Sequence, residues 1–310
     1  MDRIVESPLP EGQGGRARIT LPVYVIFFLS GAAALTYEIS WSRQIGLLFG
    51  NTASAAATVL ASYFVGLALG YAIAGRFAQL TARPLLFYGA AELAAAAWAL
   101  LVPTLLSLLE TGEVALLLHN VSPAVRTAMR AALCVLLFLP ATTALGATLP
   151  LMARWVGEVQ SGSTGRVAWA YGLNTFGGLI GVLTATVVLL AHVGVVASNV
   201  LAAGVSAACG FAAIGLSLVP SNVALNEEAP KRHDAKPSSG ETVTSARSLL
   251  LVILVAVSGF LTLALEVLYT RLFALTFHNS TYTFGLVIAV VLFGLAAGSW
   301  IAAWAQRKGD

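Results

Sequence analysis

Three glutamates stand inside long apolar runs of this sequence, where a charge is costly: Glu38, Glu92 and Glu266. A charge placed in a bilayer costs roughly 2.5–3.5 kcal/mol on insertion scales, so such residues commonly bind a substrate, an ion or a proton. Arg43 and Arg271 each follow one of these glutamates by five residues. Three interpretations are open: an ion-paired Glu–Arg clasp between the two runs, a substrate or proton site, and arginines that extend to the membrane surface.

Glu92 differs from the other two acids because its own apolar run contains no Lys or Arg. An unpaired acid of this kind is a candidate for binding a proton or a small cation. The alternative is a carboxyl that stays protonated and hydrogen-bonded to a neighbouring span. Glu38, Glu92 and Glu266 are therefore the candidate substrate or proton residues.

Asn174 lies in the apolar segment AYGLNTFGGLIG. An amide inside a membrane helix typically makes a hydrogen bond to a neighbouring helix. The adjacent Gly177, Gly178 and Gly181 predict a close approach between the two helices. The segment is not a dinucleotide-binding loop, because no strand precedes it.

Two prolines and a tryptophan complete the set of unusual residues. Pro140 and Pro150, in LPATTALGATLP, predict a kinked or interrupted span, which serves either packing or the exposure of backbone carbonyls to a ligand. Trp41 is placed with the structural polar residues, and together with Tyr269 it is expected in the aromatic belt at the membrane surface.

The sequence contains no recognisable catalytic or metal-binding pattern. We find no Ser–His–Asp set, no HExxH motif, no P-loop and no cluster of metal ligands. Cys134 and Cys209 lie far apart in apolar runs, which favours packing over a disulfide or a zinc site. No catalytic residue, cofactor or metal is predicted. The net charge of +3, without a basic stripe, argues against nucleic acid.

The elements that must position these residues are membrane helices. The chain of 310 residues is 58% hydrophobic and only 10% charged, whereas soluble domains carry about 25% charged residues. Its mean hydropathy is +0.85. The sequence therefore predicts an all-α polytopic membrane protein with eight spans, at about 21–49, 52–74, 84–109, 130–155, 167–192, 195–218, 249–277 and 282–305.

The cations predict the orientation of these spans. All but four of the 17 Lys and Arg residues fall in the two termini and in the connections on the same side of the membrane. Because cytoplasmic loops are enriched in Lys and Arg, both termini are predicted to be cytoplasmic.

The first two spans are related to the last two by an internal repeat. A shift of 228 residues aligns Ser30–Ala74 with 258–302 at 16 identical positions, among them Glu38 with Glu266 and Arg43 with Arg271. Six spans separate the two starts, so the copies are parallel. We divide the chain into a cytoplasmic tail (1–20), a six-span unit (21–219), a cytoplasmic linker (220–246) and a two-span partial repeat (247–310).

Five segments also carry a family resemblance: SGAAALTYEISWSRQIGLLFGNTASAAATVLASYFVGLALGYAIAGRFA, FYGAAEL, LPATTALGATLPLMAR, AYGLNTFGGLIG and SGFLTLALEVLYTRLFALTF. They resemble the membrane region of the bacterial spermidine synthase-like membrane proteins, also described as fused major-facilitator/spermidine synthase proteins. The resemblance places recurrent motif positions at Glu38, Trp41, Arg43, Glu92, Pro150, Asn174, Glu266 and Arg271. Relatives continue into a cytoplasmic aminopropyltransferase domain, which these residues do not include, so synthase activity cannot be carried over to this chain alone. The resemblance also implies the cytoplasmic (inner) membrane of a bacterium.

Three functions remain open at this point. The acids favour a membrane module that binds or transports a small cationic solute, and the family name suggests a polyamine. A second hypothesis is a non-catalytic accessory subunit. It would contact other chains or another copy of itself through small-residue faces at Gly66–Gly70 and Gly294–Gly298. A third is a membrane anchor for a separately encoded aminopropyltransferase-like enzyme. The lipid bilayer is a partner in all three.

Overall fold

The computed structural model describes residues 12–49, 53–109, 121–159, 164–219, 241–277 and 281–307. Within these ranges the chain forms eight long helices. They are α1 Gly12–Phe49, α2 Ala53–Ala78, α3 Pro84–Leu109, α4 Pro123–Val159, α5 Thr164–Thr184, α6 Gly194–Leu218, α7 Glu241–Phe277 and α8 Thr281–Arg307.

Each helix contains, or in the case of α5 begins, a segment that is long and apolar enough to cross a bilayer; the segment that α5 begins is Thr164–His192. These segments have 22 to 34 residues in the described ranges, against about 20 needed for the hydrocarbon core. Membrane spans favour helices because each backbone hydrogen bond is then satisfied within the segment. The prediction of an all-α, eight-span polytopic membrane protein is confirmed.

The outer parts of the predicted tail and linker, residues 1–11 and 220–240, lie outside the described residues. Three helices begin at least seven residues earlier than predicted: α1 starts at Gly12, α4 at Pro123 and α7 at Glu241. All three include polar residues that the hydropathy pattern excludes. A helix can extend past its apolar segment, because it needs only its own backbone hydrogen bonds to continue.

Helix α1 lies at the centre of the six-helix unit. It packs against α5 and α6, and more narrowly against α2. Helix α4 packs on α2 and α3, and α3 packs on α6. The last two helices lie beside this six-helix unit. Helix α8 packs on α5, and α7 packs mainly on α8.

Glycines allow two of these helix pairs to approach closely. A side chain added at Gly177 or Gly181 of α5 would collide with the backbone carbonyls of Phe28 or Ala32 in α1. In the same way, Gly66 and Gly70 of α2 lie directly against α4. The close approach expected near Asn174 is therefore present. The Gly66–Gly70 face, expected to be free for partner chains, is instead buried inside the unit.

Pro140 and Pro150 do not interrupt the fourth span, because α4 is continuous through both. The departure from α-helical geometry lies in α5, which continues from Thr184 through a π-helical turn at Ala185–Leu189. Short π-helical turns are frequent at functional sites, and no proline marks this one in the sequence. After a last turn at Leu190–His192 the chain reverses at Gly194, whose φ of +83° favours glycine.

The helix bounds follow the internal repeat. Helices α1 and α7 end at Phe49 and Phe277, and α2 and α8 begin at Ala53 and Thr281. Both pairs differ by 228 residues, the same shift that aligns the sequences. In both copies of the hairpin, therefore, the first helix ends and the second helix begins at equivalent positions.

Candidate functional site

Glu38 and Glu266 are both buried and lie close enough to interact electrostatically. Their relative exposures are 2% and 4%. Glu266 is the only buried side chain among those described from Leu249 to Thr276 of α7. The one fully buried position in this described stretch is thus an acid that interacts with its repeat equivalent.

A hydroxyl accompanies each carboxyl. Ser42 and Thr270 are equivalent under the repeat and come four residues after Glu38 and Glu266, which places each hydroxyl on the same helix face as its acid. Both hydroxyl oxygens are buried, and neither has a hydrogen-bond partner. Two carboxyls and two unpartnered hydroxyls therefore come from matching positions of α1 and α7. We call these four residues the paired-acid site.

The repeat explains why these residues meet. Equivalent residues of two parallel copies come close only near the axis that relates the copies. Glu38 and Glu266 are such equivalent residues, and they lie close enough to interact electrostatically. Glu92, in contrast, does not interact with either acid.

The ion-paired clasp between acids and arginines is not formed. Neither Arg43 nor Arg271 pairs with Glu38 or Glu266 in the part of the chain that the structure describes. Five residues of helix correspond to about 500° of rotation, which directs each Arg away from its own Glu. Both arginines are half-buried near the ends of α1 and α7.

Glu92 of α3 is completely buried between three helices. Its carboxyl accepts hydrogen bonds from the hydroxyl of Ser30 in α1 and from that of Ser206 in α6, the latter at 2.8 Å. Two phenols complete its surroundings: Tyr37 lies beside Ser206, and Tyr88 lies beside Ser30. We call these five residues the Glu92 cage.

The phenols of the cage are buried without hydrogen bonds. Tyr37 and Tyr88 both have a relative exposure of 0%, and neither hydroxyl meets strict hydrogen-bond geometry within the described residues, although Tyr37 lies within reach of Ser206, and Tyr88 within reach of Ser30 and Glu92. Each nevertheless lies close enough to Glu92 for an electrostatic interaction. Unsatisfied buried hydroxyls are rare in folded proteins, so both need a physical explanation.

Trp41 lies in the core, and the expectation of a position at the membrane surface is wrong. Its relative exposure is 0%, and its ring stacks on Phe138 with a centroid separation of 5.0 Å. Its indole nitrogen donates to Asn199 of α6 at 2.8 Å, and Asn199 donates to the carbonyl of Ala99 in α3 at 2.7 Å. Trp41 therefore joins three helices, whereas its repeat equivalent Tyr269 is exposed.

Asn174 makes an interhelical hydrogen bond. Its side-chain nitrogen donates to the backbone carbonyl of Phe27 at 2.7 Å and so links α5 to α1. Gly31 lies against the same asparagine, where any side chain would collide. Asn174 is thus a contact between helices rather than part of either acidic site.

Several residues of these sites were not singled out in the sequence, namely Ser30, Tyr37, Ser42, Tyr88, Asn199, Ser206 and Thr270. The sequence contained a signal for some of these residues. Asn199 and Ser206 are polar residues seven apart in one apolar span and so share a helix face. Ser42 and Thr270 are matched hydroxyl residues of the repeat. Tyr37 and Tyr88 carry no such signal.

No described group of three or more His, Cys, Asp and Glu residues is arranged to hold a metal ion. The fold and the two sites define a multi-pass membrane protein with buried carboxyls that lack cationic partners in its described part. Comparison with protein-family models, with curated proteins and with solved structures finds no match.

Proposed function

We propose that the protein binds a small solute with a primary ammonium group at the paired-acid site and moves it across the membrane. The observation that carries this proposal is the meeting of Glu38 and Glu266, with Ser42 and Thr270 beside them. Two carboxylates buried together are strongly unfavourable unless they share a proton or bind a cation. An ammonium group supplies both the positive charge and three N–H donors for these oxygens.

The resemblance to spermidine synthase-like membrane proteins makes a polyamine the solute to test first. A polyamine carries several ammonium groups, so it can neutralise two carboxylates at once. A quaternary amine of similar size has charge but no N–H donors. The paired-acid site should therefore discriminate against it. The cation distribution supports a bacterial inner-membrane location with both termini cytoplasmic.

Uptake of radiolabelled putrescine and spermidine into proteoliposomes tests the proposal. Glu38→Gln and Glu266→Gln should each lower uptake roughly 10- to 100-fold, since a hydrogen bond to a charged group contributes about 1.5–3 kcal/mol. Arg43→Gln and Arg271→Gln are matched controls in the same helices. They should retain uptake, because neither arginine pairs with the acids. Unchanged uptake in both glutamate variants would show that the paired-acid site does not bind the solute.

A second candidate function is that of an accessory subunit, and the environment of α8 favours it. Gly294 and Gly298 of α8 are equivalent to Gly66 and Gly70, yet a side chain added at either would meet no atom within 4 Å. Helix α7 is likewise exposed over most of its described length. These faces suit a further helical chain or another copy of this one. An aminopropyltransferase-like enzyme anchored through this chain is the variant of this idea that the family name suggests.

Purification in mild detergent followed by mass measurement separates these candidates. An accessory subunit should copurify with a partner in a fixed ratio or as an oligomer, and Gly294→Leu should weaken that association. Gly204→Leu on α6, where the added side chain also meets no atom within 4 Å, is the control. Recovery as a lone monomer that still takes up polyamine would contradict the accessory role.

A further inference from the structure

The Glu92 carboxyl and the paired-acid site have different partners, although Tyr37 of the cage directly precedes Glu38 in α1. Ser30, which donates to Glu92, precedes Glu38 by eight residues, roughly 12 Å along the helix axis. The two sites also belong to different helix sets, since the cage is formed by α1, α3 and α6. A role for Glu92 must therefore be argued from its own surroundings.

The cage presents an all-oxygen set of possible ligands with a single acid. One carboxyl, two serine hydroxyls and two phenol hydroxyls converge from the three helices. Oxygen ligands suit hard cations, whereas thiolate and imidazole suit softer metals. Calcium sites generally use six to eight oxygens with several carboxylates, and magnesium usually keeps several waters. One carboxylate in a fully buried site matches the charge of a monovalent cation.

The two unpartnered phenols point to the same conclusion. A buried carboxylate without a cation is unfavourable in a membrane interior, and buried hydroxyls without partners add a further cost. A cation between the carboxyl and the phenols would give Tyr37 and Tyr88 a ligand and would neutralise Glu92. Ser206 donates to Glu92 at 2.8 Å, so an ion bound between these oxygens would displace that hydrogen bond, and the close packing favours a small ion over a large one.

We propose that the Glu92 cage is an occluded sodium site, with Glu92, Ser30, Ser206, Tyr37 and Tyr88 as its oxygen ligands. The bound ion joins α1, α3 and α6 at one level of the membrane. This site is separate from the proposed solute site and does not depend on it. Sodium binding and solute binding can therefore succeed or fail independently.

The test uses the purified full chain in detergent. We expect one ²²Na⁺ bound per chain, and a higher melting temperature in NaCl than in KCl or choline chloride at equal ionic strength, because a ligand that binds only the folded state stabilises it. Glu92→Gln should abolish both effects. Glu266→Gln should retain both, which separates this proposal from that of the paired-acid site.

Tyr88→Phe is the most discriminating variant. It removes a buried hydroxyl that lies near Ser30 and Glu92 without meeting strict hydrogen-bond geometry, so the protein without sodium should be about as stable as the wild type. Sodium should then bind more weakly and raise the melting temperature less. Ser62→Ala on α2 removes a buried hydroxyl that bonds only within its own helix, and should leave the sodium response unchanged.

Three results would overturn the proposal: wild-type protein that binds no ²²Na⁺, equal melting temperatures in NaCl and choline chloride, or sodium binding that survives Glu92→Gln. If Glu92→Gln does not fold, Tyr88→Phe decides, because an unchanged sodium response in that variant also excludes the site.

Discussion

At the residue scale, Asn199 is the group whose loss should be most costly. Its amide accepts from Trp41 and donates to Ala99, so Asn199→Leu leaves a buried donor and a buried acceptor unpaired. Each unsatisfied group costs about 1–3 kcal/mol. We expect a corresponding fall in the free energy of unfolding, measured by denaturing-detergent titration. Ser299→Ala, which removes an exposed intrahelical hydrogen bond, should have little effect, and equal effects of the two variants would contradict this prediction.

At the element scale, the α1–α5 contact depends on glycine. A side chain at Gly177 would collide with the carbonyl of Phe28, so Gly177→Leu must push the two helices apart. Overpacking of this kind costs typically 1–3 kcal/mol. Gly204→Leu is the matched control, because the same substitution meets no neighbouring atom there. Thermal unfolding should show a lower melting temperature for Gly177→Leu only, and similar melting of both variants would exclude a glycine-dependent contact.

At the scale of the whole molecule, the charge asymmetry predicts the orientation. Cysteine labelling in intact cells with a membrane-impermeant maleimide tests this orientation. The native Cys134 and Cys209 are both buried and should react little, so the background labelling is low. A cysteine introduced at exposed His192 should be labelled from outside. One introduced at Ser221, in the predicted cytoplasmic linker, should be labelled only after the membrane is permeabilised. The reverse pattern would invert the topology.

The number and positions of the spans could be predicted from the sequence, and so could the placement of three acids inside them. The reason is local: about 20 consecutive apolar residues determine a span whatever surrounds it. The internal repeat could also be predicted from the sequence, because a shared apolar composition does not explain the matched Glu and Arg residues. For the same reason, Asn174 and its glycines indicated a helix contact before the structure supplied the partner.

Only the tertiary structure decided which groups meet. The sequence was compatible with Glu38 paired to Arg271, with Trp41 at the membrane surface and with Gly66 facing a partner chain, and none of these occurs. Glu38 instead faces Glu266, and Glu92 lies against Ser30 and Ser206. The neighbours of a membrane helix depend on its rotation and on which helices pack beside it. Hydropathy along one chain records the length and depth of each span but carries no information about that rotation.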